Sequence, residues 1–276
     1  MFKTSMAISP EPAAFAPLLF AGEWKLGIQT ASEFGYDAVE LSLRDPYDKA
    51  VPEIVNELYR SGLGLSAIAT GQSFYQDGLS LTSINPDDRV KLLDRLKRFI
   101  EIVASWSGMV ILGGVRGVLK GDPASQHEQK LMATAMIHAC SDYASQCGVR
   151  LVLEPINRYE TNFLNSIQDC LELINEADLK NVFVLADTFH MNIEEKSLDE
   201  AVIQAGPRLG YLHFADSNRR AAGQGHINFI DLAQTIQKMG YEGFICAEIL
   251  PVPDSRTAAK LARDYFQSIN SIPALP

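Results

Sequence analysis

Four apolar runs in the second half of the chain each stop at a carboxylate or an imidazole. Leu-Val-Leu runs into Glu154, Val-Phe-Val-Leu-Ala into Asp187, Gly-Tyr-Leu into His213 and Phe-Ile-Cys-Ala into Glu248. One carboxylate after such a run is ordinarily a helix cap or a surface group. Four successive runs ending this way need a common cause. Side chains alternate along a strand, so Glu154 shares a face with Val152, Asp187 with Leu185, His213 with Tyr211 and Glu248 with Cys246. If those partners fill one interior, three carboxylates and an imidazole converge at its mouth, where they repel unless a cation joins them. An oxygen-rich set with a single nitrogen suits one divalent metal ion, Mn²⁺ first and Mg²⁺ or Co²⁺ as alternatives, better than a thiolate zinc site.

The elements that must carry these groups follow from periodicity. Short apolar or β-branched runs predict strands over 3–8, 37–42, 64–69, 108–113, 149–154, 182–187, 209–214 and 243–248. Amphipathic stretches predict helices over 24–34, 51–61, 86–105, 124–147, 167–177, 198–205, 229–239 and 256–270. Strict alternation implies a parallel sheet with helical crossovers, and eight units favour closure into an α/β fold, the (β/α)8 TIM barrel, as one domain over 1–276. No GxGxxG follows the first strand, so a dinucleotide fold gains no support. Two connections, 71–85 and 155–166, are long, and in a barrel such loops open on the catalytic face. Phe74 and Tyr75 in the first of them either cover a ligand or anchor the loop.

Composition narrows the function. The chain has 276 residues, 47% hydrophobic and 21% charged, with a net charge of −10. That balance disfavours a nucleic-acid partner, and no run approaches the length of a membrane span. The apolar stretch from Phe15 to Ala21 is short and broken by proline, unlike a secretory leader. Cys140, Cys147, Cys170 and Cys246 show no CxxC spacing and read as reduced thiols, so a cytoplasmic setting is expected.

The motifs Glu154-Pro-Ile-Asn-Arg-Tyr-Glu160, Asp187-Thr-Phe-His190, His213-Phe-Ala-Asp216-Ser-Asn-Arg219 and Glu248 resemble the sugar-epimerase branch of the xylose-isomerase-like barrels. The resemblance implies that Glu154, Asp187, His213 and Glu248 hold the metal. It also implies that Glu154 and Glu248 are the acid/base pair, and that Glu160, His190 and Arg219 hold the hydroxyl end of a sugar. Further segments are similar to a narrower group, the 5-keto-L-gluconate epimerases of inositol catabolism: Arg44-Asp45-Pro46, Gly71-Gln72, Asp77 to Thr82, Val115-Arg116-Gly117 and Gly223 to His226. That likeness implies a sugar or sugar-acid substrate, 5-keto-L-gluconate/D-tagaturonate interconversion, and Gln72 near the ligand. The alternatives are a ketose 3-epimerase on neutral sugars and a hydroxypyruvate- or inosose-type isomerase. An abasic-site endonuclease shares the barrel, but five histidines and the negative charge argue against it. Related barrels form homodimers or homotetramers.

A keto-acid needs a guanidinium for its carboxylate, and Arg44 or Arg116 is expected to supply it. The other polar groups carry plainer expectations. Asp216 is a partner for His213 or a turn cap, and His226 approaches a ligand or is simply exposed. His127 and His138 are one surface and one packed histidine.

Overall fold

The computed structural model describes residues 1–12 and 16–272; Phe15, where the apolar stretch begins, lies outside them. Eight parallel strands close into a barrel in chain order: β1 (Lys3–Ile8), β2 (Ala38–Ser42), β3 (Gly64–Ala69), β4 (Met109–Leu112), β5 (Arg150–Leu153), β6 (Val182–Asp187), β7 (Leu209–His213) and β8 (Phe244–Ala247). β1 pairs with both β2 and β8, which leaves no sheet edge.

Among the described residues ten helices surround or cap this barrel: α1 (Trp24–Phe34), α2 (Val51–Ser61), α3 (Gly71–Asp77), α4 (Pro86–Ala104), α5 (Pro123–Gln146), α6 (Ile167–Glu176), α7 (Thr188–Glu194), α8 (Leu198–Ala205), α9 (Phe229–Lys238) and α10 (Ser255–Asn270). The eight long ones match the predicted helices to within a few residues. Each lays one apolar stripe on the sheet: in α9 the buried residues are Phe229, Leu232, Ala233 and Ile236, the i, i+3, i+4, i+7 spacing of one helix face. The starts of α4, α5, α6, α8, α9 and α10 carry a side-chain cap, whereas those of α1 and α2 do not. Ser166 and Asp169 form a reciprocal box at the start of α6, an arrangement worth about 1 kcal/mol at each such terminus.

Two helices were not expected. The 71–85 connection opens with the seven-residue α3, stopped by Gly78 at φ 71°, and His190 stands in α7 where an irregular loop was expected. Both are too short for hydrophobic periodicity to register. The 155–166 connection has no helix or strand.

Two apolar layers result. The larger lies between strands and helices. The smaller fills the barrel itself and contains Ala7, Ala67, Met109, Ile111, Val152, Leu185, Tyr211 and Cys246. All four strand-face partners of the polar residues are therefore interior, and the alternation of the pleat directs Glu154, Asp187, His213 and Glu248 to the mouth above them. At this level Tyr211 gives its hydroxyl to hydrogen bonds with Ser5 (3.0 Å) and Ser66 (2.8 Å). No described helix is long and apolar enough to cross a membrane.

Candidate active site

Asp187 and His213 are the last residues of β6 and β7 and sit side by side in register. Glu154 and Glu248 follow directly on β5 and β8, which end one residue earlier than the sequence pattern suggested. One ligand atom from each of the four lies within 4.8 Å of all the others. His213 Nδ1 is the hub, 3.6 Å from Glu154 Oε1, Asp187 Oδ2 and Glu248 Oε2. Asp187 uses its other oxygen to cap α7, accepting the Phe189 N–H at 2.8 Å.

The cluster fits a divalent cation on its own geometry. Asp187 Oδ2 and His213 Nδ1 are buried without a hydrogen-bond partner among the described residues, although interiors rarely leave such atoms unpaired. A cation between the four donors satisfies both. Gly113, at the end of β4, makes room: any Cβ there would fall on the Glu154 carboxylate. The electrostatics point the same way. Burial works against a charge on His213, yet the carboxylates of Glu40, Glu248, Asp187 and Glu154 hold it well above the usual histidine range. Burial, reinforced by Glu154, raises Glu248, while Asp187 is held low against burial by His190, His213 and Arg219. So many buried acids facing one imidazole demand positive charge at that point.

Beside the cluster a cavity of about 490 Å³ opens to solvent. Glu154, Glu248, Glu160, His190, Arg219 and Gln72 all line it, together with apolar groups such as Leu18, Ile111 and Ile156. Arg219 adopts φ 60° and lies 4.7 Å over the Phe189 ring, with Nη1 3.5 Å from Glu160 and Nη2 3.6 Å from Glu248. Burial pushes His190 below the usual histidine range, against the opposing pull of Asp187. Its Nδ1 accepts the Asn157 backbone N–H, and the Asn157 side-chain amide lies 2.8 Å from the same atom while also donating to Glu160 at 3.0 Å. Tyr75 lines the cavity, whereas Phe74 packs against the core, so the aromatic pair divides the two expected tasks.

Other expected residues are placed elsewhere. Arg44 is ion-paired with Asp77, and Arg116 is wholly buried with its guanidinium donating to the Glu154 carbonyl; neither lines the cavity. Asp216 does not meet His213. It accepts the N–H groups of Ser217, Gly223 and Ile227, which makes it the organiser of its own loop. His226 is exposed against Ser217, and His127 and His138 are both exposed on α5, so the expected packed histidine is absent there. The four cysteines are unpaired, three buried and Cys147 half-buried. Sequence reasoning missed Asn157 and Glu40. Asn157 lay within a quoted motif without a role. Glu40 left a fainter signal, a lone acid inside the apolar run of β2.

A family model described as "xylose isomerase-like TIM barrel" matches residues 28–269. The chain belongs to that family. Within it, the chain is 30% identical over 243 residues to an L-ribulose 3-epimerase of Methylomonas sp. (strain DH-1), covering 84% of this chain and 82% of the relative. It is 29% identical over 226 residues to a ketose 3-epimerase of Arthrobacter globiformis, covering 81% and 76%. The crystal structure of a D-allulose 3-epimerase from Methylomonas sp. superposes with a TM-score of 0.80 at 25% identity, over 97% of this chain and 98% of the other. This member of the xylose isomerase-like barrels is accordingly an isomerase of the carbohydrate-epimerase kind. The 5-keto-L-gluconate narrowing that the loop motifs implied has no counterpart among these relatives.

Proposed function

We propose that this enzyme is a divalent-metal-dependent ketose 3-epimerase acting on a neutral sugar, with Glu154 and Glu248 as its acid/base pair. The observation that carries the reading is the sharing of two glutamates between the ligand cluster and the wall of the sugar-sized cavity. Removing a proton beside a ketone is hard because charge accumulates on the carbonyl oxygen. A cation held by Glu154, Asp187, His213 and Glu248 would stabilise that charge, with Mn²⁺ the first choice for this donor set. One glutamate takes the C3 proton from one face of the sugar, leaving an enediolate, and the other delivers a proton to the opposite face. His190, Glu160 and Arg219 hold the hydroxyls so that the reacting carbon stays between the two carboxylates.

The neutral substrate is preferred over the keto-acid on the arginines. Among the described residues the guanidinium lining the cavity is that of Arg219, and it is already shared by Glu160 and Glu248. Arg44 and Arg116 are engaged elsewhere, which leaves a substrate carboxylate without a free partner.

The test is proton NMR of the Mg²⁺-loaded enzyme in D₂O with L-ribulose, D-fructose, D-tagatose and 5-keto-L-gluconate. Metal-dependent loss of the C3 proton signal with appearance of the C3 epimer of a neutral ketose is expected. Fastest turnover of 5-keto-L-gluconate would restore the acid reading. An aldose product would indicate an isomerase instead, and no exchange in any sugar would overturn the mechanism.

A further inference from the structure

Beneath the ligand cluster lies an acid that the reaction above does not use. Glu40 sits in β2 between Val39 and Leu41, wholly buried, where the β2–β3 register shifts between Val39 and Glu40. Such irregularities re-aim a side chain and recur beside active sites. Oε2 lies 3.0 Å from His213 Nε2, and Oε1 has no hydrogen-bond partner among the described residues. Among those residues no lysine or arginine pairs with it; its ion-pair partner is His213. A carboxylate removed from water with so little compensation weakens the fold, so its place there needs another reason.

We propose that Glu40 is a positioning residue that fixes the ligating nitrogen of His213, an inference that rests on the metal reading above. With Glu40 Oε2 as the acceptor in this 3.0 Å pair, Nε2 carries the imidazole proton. Nδ1 is then left with its lone pair facing the oxygens of Glu154, Asp187 and Glu248, each 3.6 Å away. In the other tautomer an N–H would point at the cation and His213 could not ligate. The negative charge behind the ring also makes the imidazole a stronger donor. The neighbouring groups leave this role to Glu40 alone. Tyr211 spends its hydroxyl on Ser5 and Ser66. Cys246 places its sulfur within 4.8 Å of the Glu40 and His213 ligand atoms, and a thiol is only a weak hydrogen-bond partner beside a carboxylate.

The experiment uses the full chain, stripped of metal and titrated with Mn²⁺, as wild type, Glu40→Gln and Glu40→Asp. Glu40→Gln keeps the shape but removes the charge, and Mn²⁺ affinity should weaken about 10–100-fold, with partial recovery in Glu40→Asp. Imidazole ¹⁵N spectra of the Mg²⁺-loaded wild type should show the His213 proton on Nε2. Unchanged Mn²⁺ affinity in a folded Glu40→Gln protein, or a proton on Nδ1 in the wild type, would overturn the role of Glu40 while leaving the epimerase reading intact. If neither variant folds, the wild-type spectrum decides alone. Failure of the wild type to bind Mn²⁺ at all would overturn the proposed function and this inference with it.

Discussion

The space that Gly113 leaves beside its α-carbon is occupied by the carboxylate of Glu154. A glycine directly after β4 thus determines where Glu154, directly after β5, stands, through contact between the ends of neighbouring strands. Gly113→Ala should push that carboxylate off the cluster without unfolding the barrel. Turnover should fall about 10²-fold, the usual effect of misplacing a reacting group by an ångström. Steady-state kinetics alongside circular dichroism check it; wild-type kcat in the variant would mean the two residues are not coupled.

Glu154→Gln and Glu248→Gln should each slow epimer formation about 10²–10⁴-fold, the range for a lost general acid or base. The two variants should differ in a telling way. With one carboxylate left, each can still exchange the proton on its own face, so each should wash deuterium into only one of the two epimers. Equal exchange from both epimers in both variants would defeat the two-face mechanism.

Stripping the metal should soften the protein. At a Mn²⁺ concentration about 100 times Kd, linkage adds about 2.7 kcal/mol to the folded state. For a chain of this size that moves the melting temperature by about 5 °C or more. Scanning calorimetry with chelator and then with excess Mn²⁺ measures the shift, and identical melting curves would count against a resident cation.

Asp77 ties α3 to its surroundings through Arg44 and the buried Arg95. The hydrogen bond from Arg44, with Arg95 beside it, lowers the Asp77 carboxyl from 3.8 to about 2 against the opposing effect of burial. Because the folded value lies below the unfolded one, the stabilisation is present above pH 4 and lost as pH falls through about 2. Asp77→Asn should therefore be less stable than wild type at pH 7, with the gap closing between pH 4 and pH 2. Urea midpoints across that range test the sign. Curves that stay parallel would show that Asp77 contributes no pH-linked stability.

The clustering of Glu154, Asp187, His213 and Glu248 was legible because each ends an apolar run, and Val152, Leu185, Tyr211 and Cys246 fix the inward face by simple alternation. The barrel was legible from the same periodicities. Glu40 was not: in Ala-Val-Glu-Leu-Ser the alternation is as compatible with a solvated edge, and its partner His213 lies 173 residues away. α3 and α7 escaped because seven residues span too few turns to show a stripe. Arg44 was read as free for a substrate because nothing local reveals its pairing with Asp77, 33 positions on. Long-range pairing between polar side chains leaves little trace in the spacing of either.

The barrel divides its labour by halves. All four residues of the acid–imidazole cluster come from the ends of β5 to β8, whereas Leu18, Gln72, Tyr75 and Gly113 bring the facing wall from connections in the first half. Glu40 also reaches across from the first half, and it does so beneath the mouth rather than at its rim. An exchange of α3 and its flanking loop between relatives could therefore alter which sugar is accepted while leaving the proton-moving apparatus untouched. Diversity of substrate in such a scaffold becomes a matter of replacing one movable wall around a fixed reaction centre.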